Sequence, residues 1–195
     1  MGGTLCQAIT NTPISSPTDL SYQIGVAVGS VTKQLIDLKK QTFDLGGVTL
    51  GIGWNHDLTH KWSSALGGTL LFDVVNRQMI RQGLTGSIAY HLFGGARRLD
   101  HSGEIAQVIE TNDFNFSVLV KSGLFHYAAS DPKAPNNSLV GGLWEVAMGF
   151  EVRQETSDES ALCATILTNV TTIPASVERL TSKINEIVVS WRLFL

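Results

Sequence analysis

Residues 140–153 read VGGLWEVAMGFEVR, and this stretch decides the fold. Most of its large apolar residues alternate with small or charged ones, which is the two-residue period of a β-strand. One face of the strand is therefore apolar, and the other carries small side chains and charges. The apolar face contains Val140, Trp144, Val146, Met148, Phe150 and Val152, and the second face contains Gly141, Glu145, Ala147, Gly149, Glu151 and Arg153.

The same alternation recurs along the chain, so the sequence predicts an all-β fold of about eight strands. The seventh strand has the weakest pattern. The connection at 94–113 is long for a barrel turn, so either the fifth strand begins earlier, near Ile105, or an additional strand or interfacial segment lies there. The other seven predicted strands are 21–29, 47–55, 62–74, 84–92, 114–124, 162–170 and 186–195.

The second face decides between a soluble and a membrane-spanning barrel. A water-facing surface is expected to be rich in Lys, Glu and Asp, whereas this face is mostly Gly, Ala, Ser and Thr with occasional charges. Small side chains suit the crowded interior of a narrow barrel. We therefore predict a closed, antiparallel, up-and-down transmembrane β-barrel whose apolar face meets lipid, with Val26, Leu50, Leu70, Ile88, Val118, Val146 and Val189 on that face.

The composition agrees with this prediction. Charged residues make up 16% of the 195 residues and there are 19 glycines, against about 25% charged residues in a typical soluble domain. No apolar run reaches the length of about 18 residues that a transmembrane helix needs. The net charge is −3 with scattered cations, so nothing predicts nucleic-acid binding.

The N-terminal segment is predicted to lie outside the barrel. Residues 1–20 show no periodicity and are expected to form a flexible leader, with the barrel occupying 21–195. The first ten residues lack the charged start and apolar core of a secretory signal, so we expect that a signal has been removed ahead of Met1. Cys6 and Cys163 would permit a disulfide in an oxidising compartment, but two cysteines are weak evidence for one.

Aromatic residues collect at one end of the predicted strands. If the N-terminus is periplasmic, the inner membrane interface lies at the starts of odd strands and the ends of even ones. Interfacial aromatic girdles are a feature of membrane barrels. The predicted girdle contains Tyr22, Trp54, Trp62, Tyr90, Phe150 and Trp191.

Charged residues on the second face point into the predicted lumen. A charge in a narrow interior is costly unless it is paired, so we predict an ion-pair network that plugs the barrel. In it, Lys121 and Arg153 or Arg192 pair with Glu145, Glu151 or Glu186, and the contact expected between neighbouring strands is that of Lys121 with Glu145 or Glu151. A polar path for small solutes is the alternative. Apolar side chains also point inward and would help to fill the lumen, namely Leu71, Phe93, Leu119, Phe125, Leu143 and Leu167. The predicted lumen charges are Asp73, His91, Lys121, Glu145, Glu151, Arg153, Glu186 and Arg192.

The C-terminal residues 190–195, SWRLFL, resemble the terminal strand of bacterial outer-membrane proteins, although Leu195 stands where Phe or Trp is usual. Together with the strand count, this makes the chain similar to small outer-membrane barrels such as the transmembrane domain of outer membrane protein A. The resemblance implies a location in the bacterial outer membrane. It also implies contact with membrane lipids and lipopolysaccharide, and recognition of the C-terminal strand by the barrel-assembly machinery.

The residues predict no catalytic, cofactor or metal site. His56 and His60 fall in a predicted turn, and the Ser and His pairs at 101–104 and 126–130 show only proximity in sequence, which is weak evidence for catalysis. We therefore expect a non-enzymatic barrel with a structural, adhesion or partner-anchoring role, acting on a partner through its outer loops. The alternatives are an outer-membrane lipid-modifying enzyme and a soluble β-barrel that binds an apolar ligand.

Overall fold

The computed structural model describes residues 18–34, 40–59, 61–75, 77, 79–94, 98–100, 107–110, 114–131, 134–157, 160–174 and 179–194. These residues contain no helix of the length and hydropathy that a helical membrane crossing requires. Ten strands are formed by the residues that the structure describes. They are β1 (Thr18–Gln34), β2 (Lys40–Thr59), β3 (Trp62–Asp73), β4 (Met79–Phe93), β5 (Arg98–Asp100), β6 (Gln107–Glu110), β7 (Phe114–Asp131), β8 (Ala134–Ser157), β9 (Ser160–Pro174) and β10 (Arg179–Phe194).

Eight of the strands form a closed barrel in the order β1-β10-β9-β8-β7-β4-β3-β2. All its ladders are antiparallel, and β1 closes the barrel on β10 between Asp19↔Phe194 and Gln34↔Arg179. The predicted all-β, eight-stranded closed barrel is confirmed. We refer to the end where β1 begins and β10 finishes as the terminal end, and to the opposite end as the far end.

The strands are strongly staggered. Following the register from Ile24 through β2, β3, β4 and β7 leads to Gly142 on β8. Following it the other way through β10 and β9 leads to Val152 on the same strand, ten residues away. A stagger of this size tilts the strands and leaves an interior that side chains can fill.

The two faces lie as the alternation predicts. Side chains of the predicted lipid face are exposed, as at Val26, Leu50, Ile88 and Val189, or half-exposed, as at Leu70, Val118 and Val146. The neighbouring Thr49 is 2% exposed and points inward. Because a shift of one residue would exchange the faces, these positions fix the register.

Several strands are longer than predicted. A strand needs about 9–11 residues to cross the hydrocarbon, yet β2 has 20 residues and β8 has 24. The added lengths lie mainly toward the far end, where the pattern inverts: Phe43 and Leu45 are buried inside while Asp44 is exposed. The barrel wall therefore continues beyond the lipid, with an apolar interior and a polar exterior on this part of β2.

The hydrogen-bonded ladders between barrel strands do not all extend equally far toward the far end. On one side, β10 pairs with β1 as far as Arg179. On the other side, its ladder with β9 runs only from Asn185 to Leu193. Toward the far end, β10 is therefore paired with β1 over a stretch where it has no ladder pairs with β9.

The long connection at 94–113 contains an additional element, as one of the two expectations proposed. β5 and β6 form a separate two-stranded sheet at the terminal end, and β7 begins at Phe114 rather than near Ile105. A register shift between His91 and Phe93 precedes it. The expected inward orientation of Phe93 is therefore wrong, because the shift turns this side chain outward, where its ring lies 6.3 Å from that of Phe116.

Candidate functional site

The interior of the barrel is the candidate site, and its far end is apolar. Fully buried side chains there include Val31, Leu139, Leu143 and Leu180. Seven of the eight barrel strands contribute to one contiguous cluster, because β-strands near the far end turn their apolar residues inward. Its members are Ala27, Val31, Phe43, Leu45, Leu71, Met79, Phe125, Tyr127, Ala129, Leu139, Leu143, Leu180 and Ile184. We call this group the apolar cluster.

A charged group lies next to the apolar cluster, on the side of the terminal end, and is centred on Arg81 of β4. The Arg81 guanidinium forms ion pairs with Glu186 on β10 and with Glu145 on β8, the latter through Nη2 and Oε2 at 3.0 Å. The same guanidinium lies over the Phe125 ring, 3.9 Å from its centroid. This cation therefore links opposite walls of the barrel.

Hydrogen bonds complete the surroundings of Glu145. The Tyr127 hydroxyl donates to its Oε1 atom, and the Ser182 hydroxyl donates to the same atom at 2.7 Å. Asn169 Nδ2 in turn donates to Ser182 Oγ at 2.8 Å. A buried carboxylate needs such partners, because leaving one of its oxygens unsatisfied is costly.

A second polar group fills the terminal end of the lumen. Arg192 pairs with Glu151, whose Oε2 atom accepts a hydrogen bond from Thr165 Oγ1 at 3.3 Å. Nearby strands bring together His91, Asn115 and Ser117: the Ser117 hydroxyl oxygen lies 2.7 Å from His91 Nδ1 and donates to Asn115 Oδ1 at 3.0 Å. All three side chains are buried.

The structure places all eight predicted lumen charges on the inner face. Arg153 is buried, and Asp73 accepts the backbone N–H of Gly46 at 3.3 Å. Lys121 lies between the two charged groups and lines a small interior cavity next to each. Of the eight, direct ion pairs join Arg192 to Glu151, while Glu145 and Glu186 share Arg81.

The expected pairing of Lys121 with Glu145 or Glu151 is not the arrangement found. Glu151 pairs with Arg192, which was among the expected cations, and Glu145 pairs with Arg81, which was not. Arg81 was absent from the predicted set, since the fourth strand was predicted to begin at Leu84. The alternation nevertheless indicates that Arg81 points inward, because it lies an even number of residues from the inward Thr85 and His91. Tyr127 was missed in the same way, beyond the predicted end of the fifth strand.

Comparisons with known proteins agree with this architecture. No family model and no curated protein matches the sequence. Among solved structures, Neisserial surface protein A aligns with a TM-score of 0.56 and 10% identity, over 90% of this chain and 97% of that one. Ail of Yersinia pestis gives a TM-score of 0.47 at 9% identity, over 91% of this chain and 98% of its own.

The N-terminal β-barrel domain of Pseudomonas aeruginosa OprF gives a TM-score of 0.47 at 13% identity, over 88% of this chain and 96% of that domain.

The fold is that of the small bacterial outer-membrane barrels. A belt of exposed Leu, Ile and Val around the barrel needs hydrocarbon to cover it, so the barrel spans a membrane. The alternative of a soluble barrel is excluded by that exterior.

The Ser and His candidates that lie within the described residues are not brought together in a catalytic arrangement. His56 lies within β2 and faces outward, so its expected place in a turn is wrong, and His126 and Ser130 are exposed on the outer face of β7. Residues 60 and 101–104 lie outside the described residues, as does Cys6. Cys163 is buried in the lumen. Within the described ranges, no group of three or more His, Cys, Asp or Glu side chains could hold a metal ion.

The six aromatic residues of the predicted girdle are all exposed on the outer face near the terminal end. Trp62 and Tyr90 are register partners whose ring centroids lie 4.8 Å apart. Phe150 stacks on Phe116 at 5.7 Å. The remaining members are Tyr22, Trp54 and Trp191.

We predict that the two rings of Trp62 and Tyr90 stabilise the barrel as a pair. In a double-mutant cycle with Trp62→Leu and Tyr90→Leu, the coupling energy should be about 0.5–1.5 kcal/mol. Urea unfolding in lipid vesicles would measure it. Trp62 and Trp191 lie on β3 and β10, with two strands between them, so their leucine variants should be additive within about 0.5 kcal/mol. Equal coupling in both cycles would contradict a specific ring contact.

Proposed function

We propose that this outer-membrane barrel is a closed, non-enzymatic membrane protein with a structural, adhesion or partner-anchoring role. The observation that supports the proposal is the apolar cluster, which crosses the interior from seven barrel strands. An apolar constriction opposes the passage of hydrated ions. Beneath it, the ion pairs of Arg81 add a second obstruction.

The interior cavities also favour a closed barrel. The two cavities that Lys121 lines have volumes of about 60 Å³ and 20 Å³. A cavity needs about 10–15 Å³ to hold a water molecule, so these spaces suit a few waters. A solute path would need a continuous wide lumen, and the polar-path alternative is therefore disfavoured.

Planar-bilayer recording tests the closed state. The unmodified protein should give no steady conductance, because ions would have to enter the apolar cluster. Leu143→Ala and Leu180→Ala remove side chains from that cluster and should increase brief openings. Leu162→Ala, on the outer face of β9, is the matched control and should not. Steady, large conductance from the unmodified protein would overturn the proposal.

Assays of lipase and deacylase activity on the purified protein test the non-enzymatic role. An enzyme would need an accessible nucleophile beside a base. Ser117 and His91 are in contact, but they are only 2% and 1% exposed, so a lipid ester could not reach them without opening the barrel. Turnover that disappears in Ser117→Ala would support the lipid-modifying alternative.

The proposed partners follow from the surfaces of the barrel. Membrane lipids, with lipopolysaccharide among them, would cover the apolar belt. The assembly machinery would recognise β10, the strand that closes the barrel on β1. A protein partner would bind at the far end, where the wall of β1 and β2 extends beyond the predicted membrane span.

A further inference from the structure

A long apolar groove lies on the outer wall of the barrel. It has a volume of about 840 Å³, and its lining includes Leu50, Leu70, Leu84 and Leu124. Gly68 also lines the groove, and a Cβ added there would meet no atom closer than 3.9 Å. The absence of a side chain at this residue therefore leaves a depression between the apolar side chains that line the groove.

The far end of this groove is polar. Gln82 of β4 and His126 of β7 are register partners, and both line the groove. Among the outward residues of β4, Ile80, Leu84 and Ile88 are apolar, so Gln82 interrupts an apolar face. Amide and imidazole groups suit the level where lipid chains join their headgroups, since they can hydrogen-bond there.

A second groove continues from this polar pair. It has a volume of about 540 Å³ and is lined by Ile80, Ala128 and Val140. Ile80 and Ala128 form the next outward register pair after Gln82 and His126. The two grooves therefore adjoin along the β4–β7 seam.

Arg77 lies at the far end of the second groove. Its φ of 56° is left-handed, a conformation that is uncommon for residues other than glycine. Such a residue persists only where its surroundings hold it, and it is often functional. Here the turn between β3 and β4 holds an exposed cation at the edge of an apolar surface.

We propose that the two adjoining grooves bind one membrane lipid, with an acyl chain along the leucines of the first groove and a phosphate headgroup at Arg77 in the second. The groove faces hydrocarbon because it lies on the spanning wall, so the chains of lipids are what cover it. Its volume is within the range of about 300–1,000 Å³ that is usual for ligand sites. Arginine binds phosphate well through its planar set of donors. This site is independent of whether the lumen is closed.

Native mass spectrometry of the protein released from detergent micelles tests the proposal. The probes are bisphosphorylated lipid A, which carries uncompensated phosphate charge, and zwitterionic phosphatidylethanolamine. The unmodified protein should retain one lipid A molecule. Gly68→Phe places a ring in the groove and should lower the retained fraction at least fivefold. Arg77→Gln should lower retention of lipid A more than that of phosphatidylethanolamine, because the single phosphate of the latter is partly compensated by its own ammonium group.

Gly86→Phe is the matched control, because Gly86 also lies on the outer face of β4 but does not line the groove. It should retain lipid as the unmodified protein does. Heat-dependent migration on gels would verify that each variant is folded. Equal retention by Gly68→Phe and the unmodified protein would overturn the proposal, as would equal losses in both glycine variants.

Two other outcomes would also overturn it. Displacement of lipid A by inorganic phosphate would mean that the headgroup alone is bound. A species of twice the chain mass that Gly68→Phe abolishes would mean that the groove binds a second copy of the chain. Neither result would bear on conductance, so failure here is distinguishable from failure of the closed-barrel proposal.

Discussion

Replacing Arg81 by methionine is expected to lower the free energy of unfolding by about 3–5 kcal/mol, because removing one partner of a buried ion pair leaves the other charge uncompensated. Two carboxylates, Glu145 and Glu186, would lose their cation at once. Methionine keeps much of the volume beside Phe125, so packing changes little. Urea unfolding in lipid vesicles would measure the difference.

The exposed Lys183 of β10 provides the control, since Lys183→Met should change stability by no more than about 0.5 kcal/mol. Adding Glu145→Gln and Glu186→Gln to Arg81→Met should recover part of the loss, because the buried charges are then removed. Lys121→Met should cost less than Arg81→Met. A small effect of Arg81→Met, similar to that of Lys183→Met, would mean that the charged group contributes little to stability.

Replacing Leu50 by arginine is expected to destabilise the barrel by about 2–4 kcal/mol, as is found for cations near the midplane of a bilayer. Leu50 is 43% exposed and lies at the middle of β2 on the outer face. A charge there would have to leave water for hydrocarbon. The measurement is the same unfolding experiment.

Leu58 is the matched control, because it lies on the same strand and face but next to the terminal end. Near an interface the cost of a cation falls to about 0–1 kcal/mol, so Leu58→Arg should be nearly neutral. If the two variants were equally stable, the depth of β2 in the membrane would have to be revised.

The alternation of side chains was sufficient to predict the fold. On β2, residues Val48 to Trp54 separate into a large apolar face and a face of glycine and threonine. Lipid on one side and a narrow lumen on the other impose that separation, and the same two environments act on every barrel strand. Strand number, closure and inward charges such as Glu145 were therefore predictable.

The strand ends were not predictable from the same rule. Beyond the membrane the exterior meets water and the interior forms a core, so the apolar parity changes. In β10, Leu180 and Ile184 point inward, whereas Ile187 and Val189 point outward. A search for one continuous apolar face ends at that change. Predicting the full length of a strand therefore requires two patterns: apolar residues that point outward within the membrane and apolar residues that point inward beyond it.

The ion pairs could not be predicted because they depend on the stagger of the strands. Arg81 and Glu186 are 105 residues apart, and they lie on strands that are not neighbours. Which charges face each other across the lumen follows from a stagger of ten residues, and this value comes from pairings that the alternation alone leaves open. The register shift before Phe93 is likewise invisible, since one extra residue reverses parity without any change in composition.

The short ladder between β9 and β10 has a consequence for local stability. Residues 179–184 of β10 are paired with β1, but the β9–β10 ladder reaches only Asn185. Backbone amides without ladder partners exchange with solvent through small openings, whereas those in complete ladders require larger ones. Hydrogen exchange should therefore be fastest where β9 and β10 lack ladder pairs, and it should extend from there toward Thr168. We expect the barrel wall to open first between these two strands.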